Sequence, residues 1–593
     1  MSIILGINTF HAGSSVALLV DGQPIVALAE ERLNRVKYFA GFPKLSVLRC
    51  LEIAGLTFAD VDAVAVGRDS SANLHKKLEF AIRNPAKLLN LARIRSKSKT
   101  FDDLKTLIAN ECDVDQEKLK FKTYNIEHHL AHTASAYFAS EWEHSAGITV
   151  DGSGDFVSCL LSECVGTEIR PLQRVFVPHS LGTLYTAVCQ FIGYPKYGDE
   201  GKVMGLAPLG TDVYHDFFER MLKPTAKGFE LNPDYFLPFG ANQGMEISDD
   251  GEMIVHRLYS DLFIKELGEP REKHAEIMQR DSNIAFGLQR IFEKYYMHTL
   301  NLLSEKVATS RLSMAGGCAL NSVANGKALL ETPFTEHCIQ PAASDDGLAL
   351  GVALYVSNSI LKEGKRWTMK HSYLGDEYSD EVIEAELKKY KVAYKKLDRA
   401  EILETTAEEI KNGNVVGWFQ GRMEWGPRAL GNRSILAHPG FPNMKDILNA
   451  RIKHREAFRP FAPSVLVERQ SEIFEQSYPS PFMLHVYKIK PEWRERLSAV
   501  NHVDDTGRLQ TVARTENPLY YDLIETFETK TGIPVVLNTS FNENEPIVYQ
   551  PDQAIECFLR TKMDVLVIGS FYCKKEQSRE RRQDALAPKE KSR

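Results

Sequence analysis

The stretch that decides the fold reads Ala146-Gly147-Ile148-Thr149-Val150-Asp151-Gly152-Ser153-Gly154-Asp155-Phe156. An apolar strand runs into a turn of small residues, and two further strands are predicted, at Phe156–Cys164 and Ile169–Val177. The N-terminus repeats this pattern, with predicted strands at Ile3–Ile7, Ser15–Val20 and, after an Asp21-Gly22 hairpin turn, Ile25–Ala29. Such an internal repeat predicts two similar halves that face each other across a cleft.

Further along the chain, a third strand–loop–helix unit is predicted at Leu312–Ala328, preceded by an amphipathic helix at Asn283–Leu303. The Pro-rich residues 223–240 are interpreted as an irregular insertion, which either contacts a substrate or is surface padding. The composition changes near residues 358–375, where lysines replace the apolar pattern. We therefore place a domain boundary in that region.

Beyond this boundary the sequence predicts a second domain of mixed α/β type. Its predicted elements are the helices Ser379–Lys389 and Thr405–Asn412 and the strands Val415–Trp418 and Pro534–Leu537. The predicted domains are thus residues 1–360 and 371–573, and a disordered charged tail is expected at 574–593.

The composition limits the class of protein. With 593 residues, 43% hydrophobic and 25% charged, the chain is globular and too long for one hydrophobic core. A net charge of −7 argues against a surface built to bind nucleic acid. The nine cysteines include no C-x-x-C pair, which favours reduced thiols in the cytoplasm over a zinc finger or a disulfide framework. Neither a signal peptide nor an apolar run of membrane-spanning length is found, so no membrane association is expected.

Two histidines predict a metal site. His128 and His132 are four residues apart in a segment of small residues, and a helix places both imidazoles on one face, where they can bind one divalent ion. His129 lies about a hundred degrees away around such a helix and is not expected to be a ligand. The alternative interpretation is a pair of packed or exposed histidines without a metal.

Carboxylates complete the predicted metal site. Asp151 ends the apolar strand, and Asp345 precedes the apolar helix Leu348–Val356. Two histidines with two aspartates suit Fe(II), Mn or Mg better than structural zinc. The sequence leaves open whether Asp346 replaces Asp345, and whether either one only caps the helix.

Glycine loops recur at matching points of the repeat. The turns at Asp151–Asp155, at Gly316-Gly317 and at His11–Ser15 allow backbone N–H groups to approach phosphate oxygens. One such loop is commonly just a turn, but three of them predict that a nucleotide phosphate chain is held against the metal. The predicted nucleotide contacts are Ser14, Gly152, Ser153, Gly154, Lys202, Gly316, Gly317 and Asn321.

Cationic residues are dense in two stretches of the second predicted domain, at 421–434 and 449–461, among Gly, Pro and aromatic residues that favour fixed loops. The alternatives are a phosphate pocket and an RNA-binding patch. In an acidic protein, one compact arginine cluster favours a small anion, because guanidinium groups bind phosphate oxygens bidentately. The basic run Arg93–Lys99 is interpreted as a solvated loop.

Several long motifs of the chain are similar to those of the NodU/CmcH family of O-carbamoyltransferases, over residues 3–572. These motifs are Glu200-Gly201-Lys202-Val203-Met204-Gly205-Leu206-Ala207-Pro208, Gly316–Asn321, Gly421–Leu436 and Asn538-Thr539-Ser540-Phe541-Asn542. The resemblance implies a duplicated actin/Hsp70-like (RNase H-like) ATPase domain, followed by a YrdC-like mixed α/β domain. It also implies formation of carbamoyl-adenylate from carbamoyl phosphate and ATP, with transfer of the carbamoyl group to a hydroxyl beside a divalent metal.

The resemblance also implies roles for single residues. The metal ligands by matched position are His128, His132, Asp151 and Asp345. His11 is the implied general base, with Arg459 as the second catalytic residue. The implied carbamoyl-phosphate and adenylate contacts are Arg428, Lys453, Arg459, Arg508, Asn538 and Asn542.

The chain departs from the family pattern at two places. Ala12 follows His11 where the family has a His-Asp pair, and Glu543-Asn544 stands where many members have a basic residue before Gly-Glu-Pro. The second departure implies that one anion contact is missing or is replaced by another arginine.

The sequence thus predicts a cytoplasmic carbamoyltransferase that acts on a small-molecule or sugar hydroxyl, with ATP and carbamoyl phosphate as substrates. One alternative is carbamoylation of a macromolecule, such as tRNA or a hydrogenase-maturation protein. The absence of a C-x-x-C pair argues against the hydrogenase reading. Another alternative is a non-catalytic ATP-binding sensor, for which the arginine cluster would have no purpose. The identity of the acceptor is not readable, and a homodimer stays open.

Overall fold

The computed structural model of the chain describes residues 2–83, 103–237, 244–364 and 366–575. The basic run Arg93–Lys99, the predicted tail after residue 575 and residues 238–240 of the predicted insertion lie outside the described residues. The described chain is mixed α/β, as the alternation of periodic segments predicts.

Fourteen strands are described before residue 364, and ten of them form two five-stranded sheets. The strands are β1 (Ile3–Asn8), β2 (Ser15–Val20), β3 (Gln23–Ala29), β4 (Ala63–Val66), β5 (Lys122–Asn125), β6 (His144–Gly154), β7 (Val157–Val165), β8 (Glu168–Phe176), β9 (Leu222–Thr225), β10 (Gly228–Leu231), β11 (Met245–Ile247), β12 (Met253–Val255), β13 (Arg311–Ala315) and β14 (Glu336–Ile339).

The two five-stranded sheets have the same strand order and the same directions. The first sheet has the order β3-β2-β1-β4-β5 and the second the order β8-β7-β6-β13-β14. In each sheet, two antiparallel pairings are followed by two parallel ones. The central strands β1 and β6 are almost wholly buried, as expected for strands covered on both faces.

The helices that cover these sheets follow the apolar periodicity of the sequence. They are α1 (Glu31–Asn34), α2 (Lys44–Ala54), α3 (Leu74–Arg83), α4 (Leu104–Cys112), α5 (His128–Tyr137), α6 (Leu181–Phe191), α7 (Glu200–Leu206), α8 (His215–Glu219), α9 (Asp261–Leu267), α10 (Gln279–Ser304), α11 (Ser322–Glu331) and α12 (Leu348–Tyr355). Helix α12 is apolar all round and is buried between α5 and β1, which explains why it carries no polar face.

A third, eight-stranded sheet is formed by later residues. Its order is β15 (Lys395–Lys396), β24 (Phe571–Lys574), β23 (Val565–Ile568), β16 (Val416–Phe419), β17 (Arg433–Ala437), β22 (Val535–Ser540), β18 (Ala462–Leu466) and β21 (Gln510–Val512). A separate pair is formed by β19 (Tyr487–Lys488) and β20 (Thr506–Gly507). The accompanying helices are α13 (Asp380–Lys389), α14 (Arg399–Lys411), α15 (Met444–Leu448), α16 (Gln470–Ile473), α17 (Pro491–Arg494), α18 (Pro518–Thr531) and α19 (Pro551–Arg560).

The cores of the N-terminal and C-terminal parts interlock. Trp425 from the loop after β16 is buried in the core around α5 and α12, and Tyr549 packs into the core behind β1. The guanidinium of Arg32 donates to the carbonyl of Gly426 at 2.9 Å, and Arg49 donates to Asp376 at 2.8 Å. The described residues between Leu361 and Asp380 contain no helix or strand, so packing rather than a shared element joins the two parts.

Two predictions about local structure were wrong. The strand before the small-residue turn does not stop at Val150 but continues as β6 to Gly154, and the chain reverses at Asp155 and Phe156, which both have positive φ. The predicted irregular insertion contains the antiparallel hairpin β9–β10, whose strands pair Leu222 with Leu231. In the described ranges, no helix combines the length and the apolar character needed to cross a membrane.

Two stacked histidines lie at the contact between the two parts. Nδ1 of His337, on β14, is 3.3 Å from Nε2 of His485, and the rings are 5.5 Å apart. The hydroxyl of Tyr478 accepts from the backbone N–H of His337 and donates to its carbonyl. Burial lowers the pKa of His337 to about 3 and that of His485 well below its usual range, so both rings are neutral in the folded chain.

We predict that this pair makes the protein sensitive to mild acid. A histidine whose pKa is lowered in the folded state stabilises the fold fully above its unfolded pKa of about 6.5, and that stability is lost as the pH falls toward 3. His337→Gln should therefore show a smaller fall in unfolding temperature between about pH 7 and pH 4.5 than the wild type. The exposed His75→Gln is the control, and equal pH slopes for all three proteins would contradict the prediction.

Gly426 is predicted to be essential to the docking of the two parts. Its φ is +103°, and a Cβ there would lie 2.8 Å from the carbonyl oxygen of Pro341, so Gly426→Ala should cost about 3 kcal/mol. Gly55 also has a positive φ, but its Cβ would meet nothing within 4 Å, so Gly55→Ala should cost about 1 kcal/mol. Calorimetric unfolding of both variants measures the difference, and equal unfolding temperatures would refute the steric argument.

Candidate metal centre and arginine cluster

Asp151 is held in place by its own loop. One carboxylate oxygen, Oδ1, accepts hydrogen bonds from the backbone N–H of Gly152 at 2.8 Å and of Gly317 at 3.2 Å. Gly316 has a φ of +90°, and a Cβ there would lie 2.4 Å from the carbonyl of Val150. The glycines thus let the loop after β13 approach β6 closely, and the other oxygen, Oδ2, is left to face the histidines.

His128 and His132 share one face of α5, as the spacing predicts. The side chain of Glu127 caps the helix by accepting from the N–H of Leu130. Nε2 of each histidine lies 3.3 Å from Oδ2 of Asp151. The ring of His128 occupies the space of a missing side chain at Gly154, where a Cβ would lie 2.0 Å from the ring. A glycine at this position is therefore required for the histidine to reach Asp151.

Asp345 closes the cluster from the opposite side. Its Oδ1 lies 3.6 Å from Nε2 of His128 and 3.4 Å from Nε2 of His132. One ligand atom from each of the four residues lies within 4.8 Å of the others, and all four residues are buried. Asp346, the alternative that the sequence leaves open, is not in this cluster, because it follows Asp345 in a short 3₁₀ turn that leads into α12.

The cluster prefers positive charge. Burial disfavours a charged imidazole, but the nearby carboxylates of Asp151 and Asp345 outweigh it and raise the pKa of His132 to about 9. The same carboxylates raise the pKa of His128. Although burial opposes ionisation, the two histidines hold the pKa of Asp151 well below its usual range. Both carboxylates are thus anionic, and a cation between them is strongly favoured.

The donor set fits a divalent metal ion. Within the described ranges, Nε2 of His132 and Oδ1 of Asp345 are buried without a hydrogen-bond partner, although they face the centre of the cluster. Two imidazole nitrogens and two carboxylate oxygens are ligands that Fe(II), Mn and related ions accept. Gly152 and Gly317 supply the outer hydrogen bonds that orient Asp151, a device common around metal sites. The identity of the metal stays a prediction.

His129 has a different role from its neighbours. Its Nδ1 lies 2.6 Å from the hydroxyl of Thr149, and its Nε2 lies 2.9 Å from the carbonyl of Val157. Burial lowers its pKa to about 3. The neutral ring therefore joins α5 to the sheet, and both ring nitrogens are occupied, as its position away from the ligand face predicts.

His11 lies at the edge of the cluster. Its Nδ1 is 3.6 Å from Oδ2 of Asp345, the oxygen that does not face the other histidines, and its ring is 5.4 Å from that of His128. The side chain is 22% exposed, whereas those of His128 and His132 are buried. Asp345 therefore orients His11 and contributes to the metal cluster at the same time. The adjacent Ala12 is buried and makes no polar contact with the ring.

The predicted nucleotide contacts mostly have partners within the protein. The N–H groups of Gly152 and Gly317 are bound to Asp151, and that of Gly316 donates to the carbonyl of Ala343. These three N–H donors are not available to a phosphate in this structure, because each already donates a hydrogen bond within the protein. Gly154 makes room for a histidine, and Ser153 is half-buried on the same strand.

The other predicted nucleotide contacts also have local partners. The hydroxyl of Ser14 donates to the carbonyl of Gly41 at 2.6 Å. The side chain of Asn321 caps α11 and is paired with Gln289. Lys202 forms an ion pair with Asp199 at 2.6 Å. Nucleotide binding by these residues stays a prediction.

Four arginines of the C-terminal part come together without carboxylates to match them. Burial and the nearby charges of the other arginines lower the pKa of Arg428 and, still further, that of Arg508. Burial and Arg459 lower the pKa of Arg455 to about 9. The carboxylate of Glu456 lies 3.7 Å from Arg459 and also acts on Arg455. Among the described residues, Nε of Arg428 and Nε of Arg508 are buried without a hydrogen-bond partner. We call these four residues the arginine cluster.

Lys453 does not point freely into the arginine cluster. Its ammonium donates to the carbonyl of Ser540 at 2.6 Å and to the carbonyl and side-chain oxygen of Asn542, both at 2.8 Å. Burial lowers its pKa well below the usual range. Lys453 and Asn542 are thus hydrogen-bonded to each other. To contact an anion as predicted, each side chain would have to form a further hydrogen bond beside these.

Asn538 lies in the centre of β22 with one polar atom free. Its amide donates to the carbonyl of Ala429 at 3.3 Å and to Gln510 at 3.0 Å, which fixes the loop that carries Arg428. Its Oδ1 has no partner in the part of the chain that the structure describes. The free oxygen is consistent with the predicted ligand contact, which stays a prediction.

The acidic departure after Asn542 is neutralised locally. Glu543 pairs with Arg560 at 3.2 Å and lies 3.6 Å from His454, and Glu545 also pairs with Arg560. These carboxylates are therefore bound to other side chains rather than to the arginine cluster. Arg455 lies in the arginine cluster but was not among the predicted anion contacts, and its position in a cationic run was the only signal in the sequence. Whether it replaces the anion contact that this departure removes stays a prediction.

We predict that Asp345, and not Asp346, is required for metal binding. Asp345→Asn removes an anionic ligand and should lower the metal affinity at least tenfold, seen as loss of metal after dialysis and elemental analysis. Asp346→Asn is the matched control, because it changes the adjacent buried carboxylate outside the cluster. Equal metal content in the two variants would rule out the assignment.

The comparisons with known proteins agree on one family. Residues 3–354 match Carbamoyltransferase N-terminus, and residues 407–575 match Carbamoyltransferase C-terminus. The chain is 37% identical to an uncharacterized protein of Synechocystis sp., with 98% of each chain covered. It is 39% identical to nodulation protein NolNO of Sinorhizobium fredii, with 96% of this chain and 80% of NolNO covered.

Among solved structures, component A of (R)-2-hydroxyglutaryl-CoA dehydratase from Acidaminococcus fermentans matches 62% of this chain and 100% of its own, at 14% identity and a TM-score of 0.32. That score is too low to support an argument. The two family matches and the two relatives show that the chain belongs to the carbamoyltransferase family and is a carbamoyltransferase enzyme.

Proposed function

We propose that this enzyme forms carbamoyl-adenylate from carbamoyl phosphate and ATP at the arginine cluster. It then transfers the carbamoyl group to a hydroxyl of a small molecule or sugar at the metal centre. In this proposal, residues 1–360 are the actin/Hsp70-like part that serves the acceptor, and residues 371–573 are the YrdC-like part that makes the adenylate. The identical strand order of the two N-terminal sheets supports the duplicated arrangement.

The observation that carries the proposal is the arginine cluster. Burial and the repulsion of neighbouring arginines lower the pKa of Arg428, Arg455 and Arg508, so the cluster is costly to hold together unless a polyanion binds in it. The phosphates of ATP and carbamoyl phosphate supply several negative charges and suit the bidentate geometry of arginine. A sensor that only binds ATP at the other sheets would gain nothing from this cluster.

The first reaction activates the carbamoyl group. Water hydrolyses carbamoyl phosphate to carbamate and inorganic phosphate, and a carbamate oxygen then attacks the α-phosphorus of ATP and displaces pyrophosphate. The product is a mixed anhydride of carbamate and AMP, which has a much better leaving group than carbamate itself. Arg428, Arg459 and Arg508 would stabilise the charge that develops on the phosphates.

The second reaction takes place at the metal centre. His11 is the group closest to solvent there and is oriented by Asp345, so it would accept the proton of the acceptor hydroxyl. The oxygen of the acceptor then attacks the carbamoyl carbon, and AMP leaves. His128, His132, Asp151 and Asp345 would hold the divalent metal, which acts as a Lewis acid and template for the leaving phosphate.

Small-molecule acceptors suit the charge distribution better than nucleic acid. The chain carries a net charge of −7, and its clustered arginines are half-buried in one place rather than spread over a surface. The nine cysteines are free thiols in the structure, which fits a reducing cytoplasm as the site of the reaction. The proposal does not require a second copy of the chain.

The two reactions are predicted to be separable by mutation. Arg459→Ala should abolish pyrophosphate release from ATP and carbamoyl phosphate, because the polyanion loses a contact that stabilises its transition state, at a cost of at least a hundredfold in rate. His132→Ala should keep pyrophosphate release and lose transfer to hydroxyl acceptors, measured as a gain of one carbamoyl mass in a metabolite library. Arg514→Ala, at an exposed ion pair, is the control.

Pyrophosphate release by the wild-type enzyme tests the proposed function itself. No release of pyrophosphate by the wild type, with ATP and carbamoyl phosphate present together, would rule out adenylate formation. Loss of both partial activities in folded His132→Ala would instead refute the division of labour between the two sites.

A further inference from the structure

Two tyrosines of the N-terminal part lie between the metal centre and the arginine cluster. The rings of Tyr38 and Tyr197 are half-buried and meet edge to face, with centroids 5.4 Å apart and planes at 69°. Neither residue belongs to the motifs used to identify the family. Tyr197 has contacts on the side of the metal centre, and Tyr38 has contacts on the side of the arginine cluster.

Tyr197 faces the metal centre. Its side chain lies beside that of Ser344, the residue before Asp345 of the metal centre. Burial raises its pKa, and the negative charges of Asp345 and Asp151 raise it further, which puts the ring within the electrostatic reach of the cluster. Helix α7, which begins three residues later, packs against the arginine-bearing loop, since a Cβ at Gly205 would lie 3.4 Å from Pro460.

Tyr38 faces the arginine cluster. Its backbone N–H donates to Glu31 at 2.8 Å, and Glu31 is paired with Arg32 at 3.2 Å. Arg32 in turn donates to the carbonyl of Gly426, two residues before Arg428. The chain of contacts therefore ties Tyr38 to the loop that carries one of the four arginines.

The position of Tyr38 is enforced at a cost. Its φ is +54°, an unfavourable conformation for a bulky residue. Its ring fits only because Gly198 has no side chain, since a Cβ there would lie 2.2 Å from the Tyr38 hydroxyl. Backbone strain of this kind persists where the surroundings enforce it, and it is typical of functional sites.

We propose that Tyr38 and Tyr197 form an aromatic passage that stacks the adenine ring of carbamoyl-adenylate on its way from the arginine cluster to the metal centre. Stacking on aromatic side chains suits any nucleobase and needs no specific hydrogen bond. Both rings are carried by segments that touch the two sites, so the intermediate remains in contact with protein throughout. This inference rests on the proposed function, since it needs carbamoyl-adenylate as an intermediate.

The test measures how much of the intermediate escapes. Enzyme, ATP and carbamoyl phosphate are incubated with hydroxylamine and without an acceptor. Hydroxylamine attacks the carbamoyl carbon of escaped carbamoyl-adenylate, a C–N bond replaces the C–O bond, and N-hydroxyurea and AMP are formed. The readout is the ratio of N-hydroxyurea to pyrophosphate, after subtraction of an ATP-free reaction that accounts for decomposition of carbamoyl phosphate. A change in overall activity alone does not alter this ratio.

Tyr38→Leu and Tyr197→Leu should each raise the ratio about fivefold, because the stacking surface is lost. Tyr38→Phe keeps the ring and should retain the wild-type ratio. The control is Tyr390→Leu, at a half-buried residue that ends α13 and whose hydroxyl donates to Glu556, and it should also leave the ratio unchanged.

The possible failures are distinguishable. If the wild type releases no pyrophosphate, the proposed function is wrong. If the wild type does release it but the leucine variants keep the wild-type ratio, the passage is refuted and the proposed function stands. Loss of pyrophosphate release in both folded leucine variants would assign the pair to adenylate formation and would also overturn the passage.

Discussion

The carboxylate of Asp151 is the interaction on which the rest of the site depends. One of its oxygens is fixed by two backbone N–H groups, one from β6 and one from the loop after β13, and the other is turned toward two histidines of α5. Strand β6 and this loop can meet there only because Gly316 and Gly317 let the backbones approach. An ion between the histidines and carboxylates therefore rests on sheet geometry, which is stiffer than any single side chain.

Several strands and the common face of the two histidines could be predicted because they follow from local rules. Strand alternation and hairpin turns gave β1, β2, β7 and β8 to within a few residues, and the four-residue spacing of His128 and His132 fixes a common face on any helix. The choice between Asp345 and Asp346 could not be predicted, because it depends on a 3₁₀ turn before α12. Adjacent residues of such a turn point in different directions, and sequence spacing does not say which one faces inward.

Long-range contacts explain what sequence reasoning missed. The glycine N–H groups were expected to be free for phosphate, but partners distant in sequence occupy them. Lys453 looked like an anion contact because it lies in a cationic run, yet its ammonium binds the loop after β22, about ninety residues away in the chain. Tyr38 and Tyr197 carried no signal at all, since their proximity arises only when Gly198 packs under the ring.

The arginine cluster and the metal centre place opposite demands on the protein. One concentrates positive charge and is half-buried, and the other concentrates negative charge and is buried. Each is costly until a ligand of the opposite sign binds, so in the proposed function the substrates and the metal would relieve electrostatic strain at two points. The half-buried rings of Tyr38 and Tyr197 lie between the two clusters and separate their electrostatic fields without adding a charge.

The bond from Arg32 to Gly426 has a consequence for engineering. One wall of the arginine cluster, where the proposed function puts adenylate formation, is built partly by an early segment of the chain, so the sequence between the two family regions is not a neutral breakpoint. A chimera that joins the C-terminal part to a foreign N-terminal part would lose that wall. If the N-terminal part of such an enzyme is exchanged to change its acceptor, segments 31–38 and 197–206 have to be kept from the same protein as the C-terminal part.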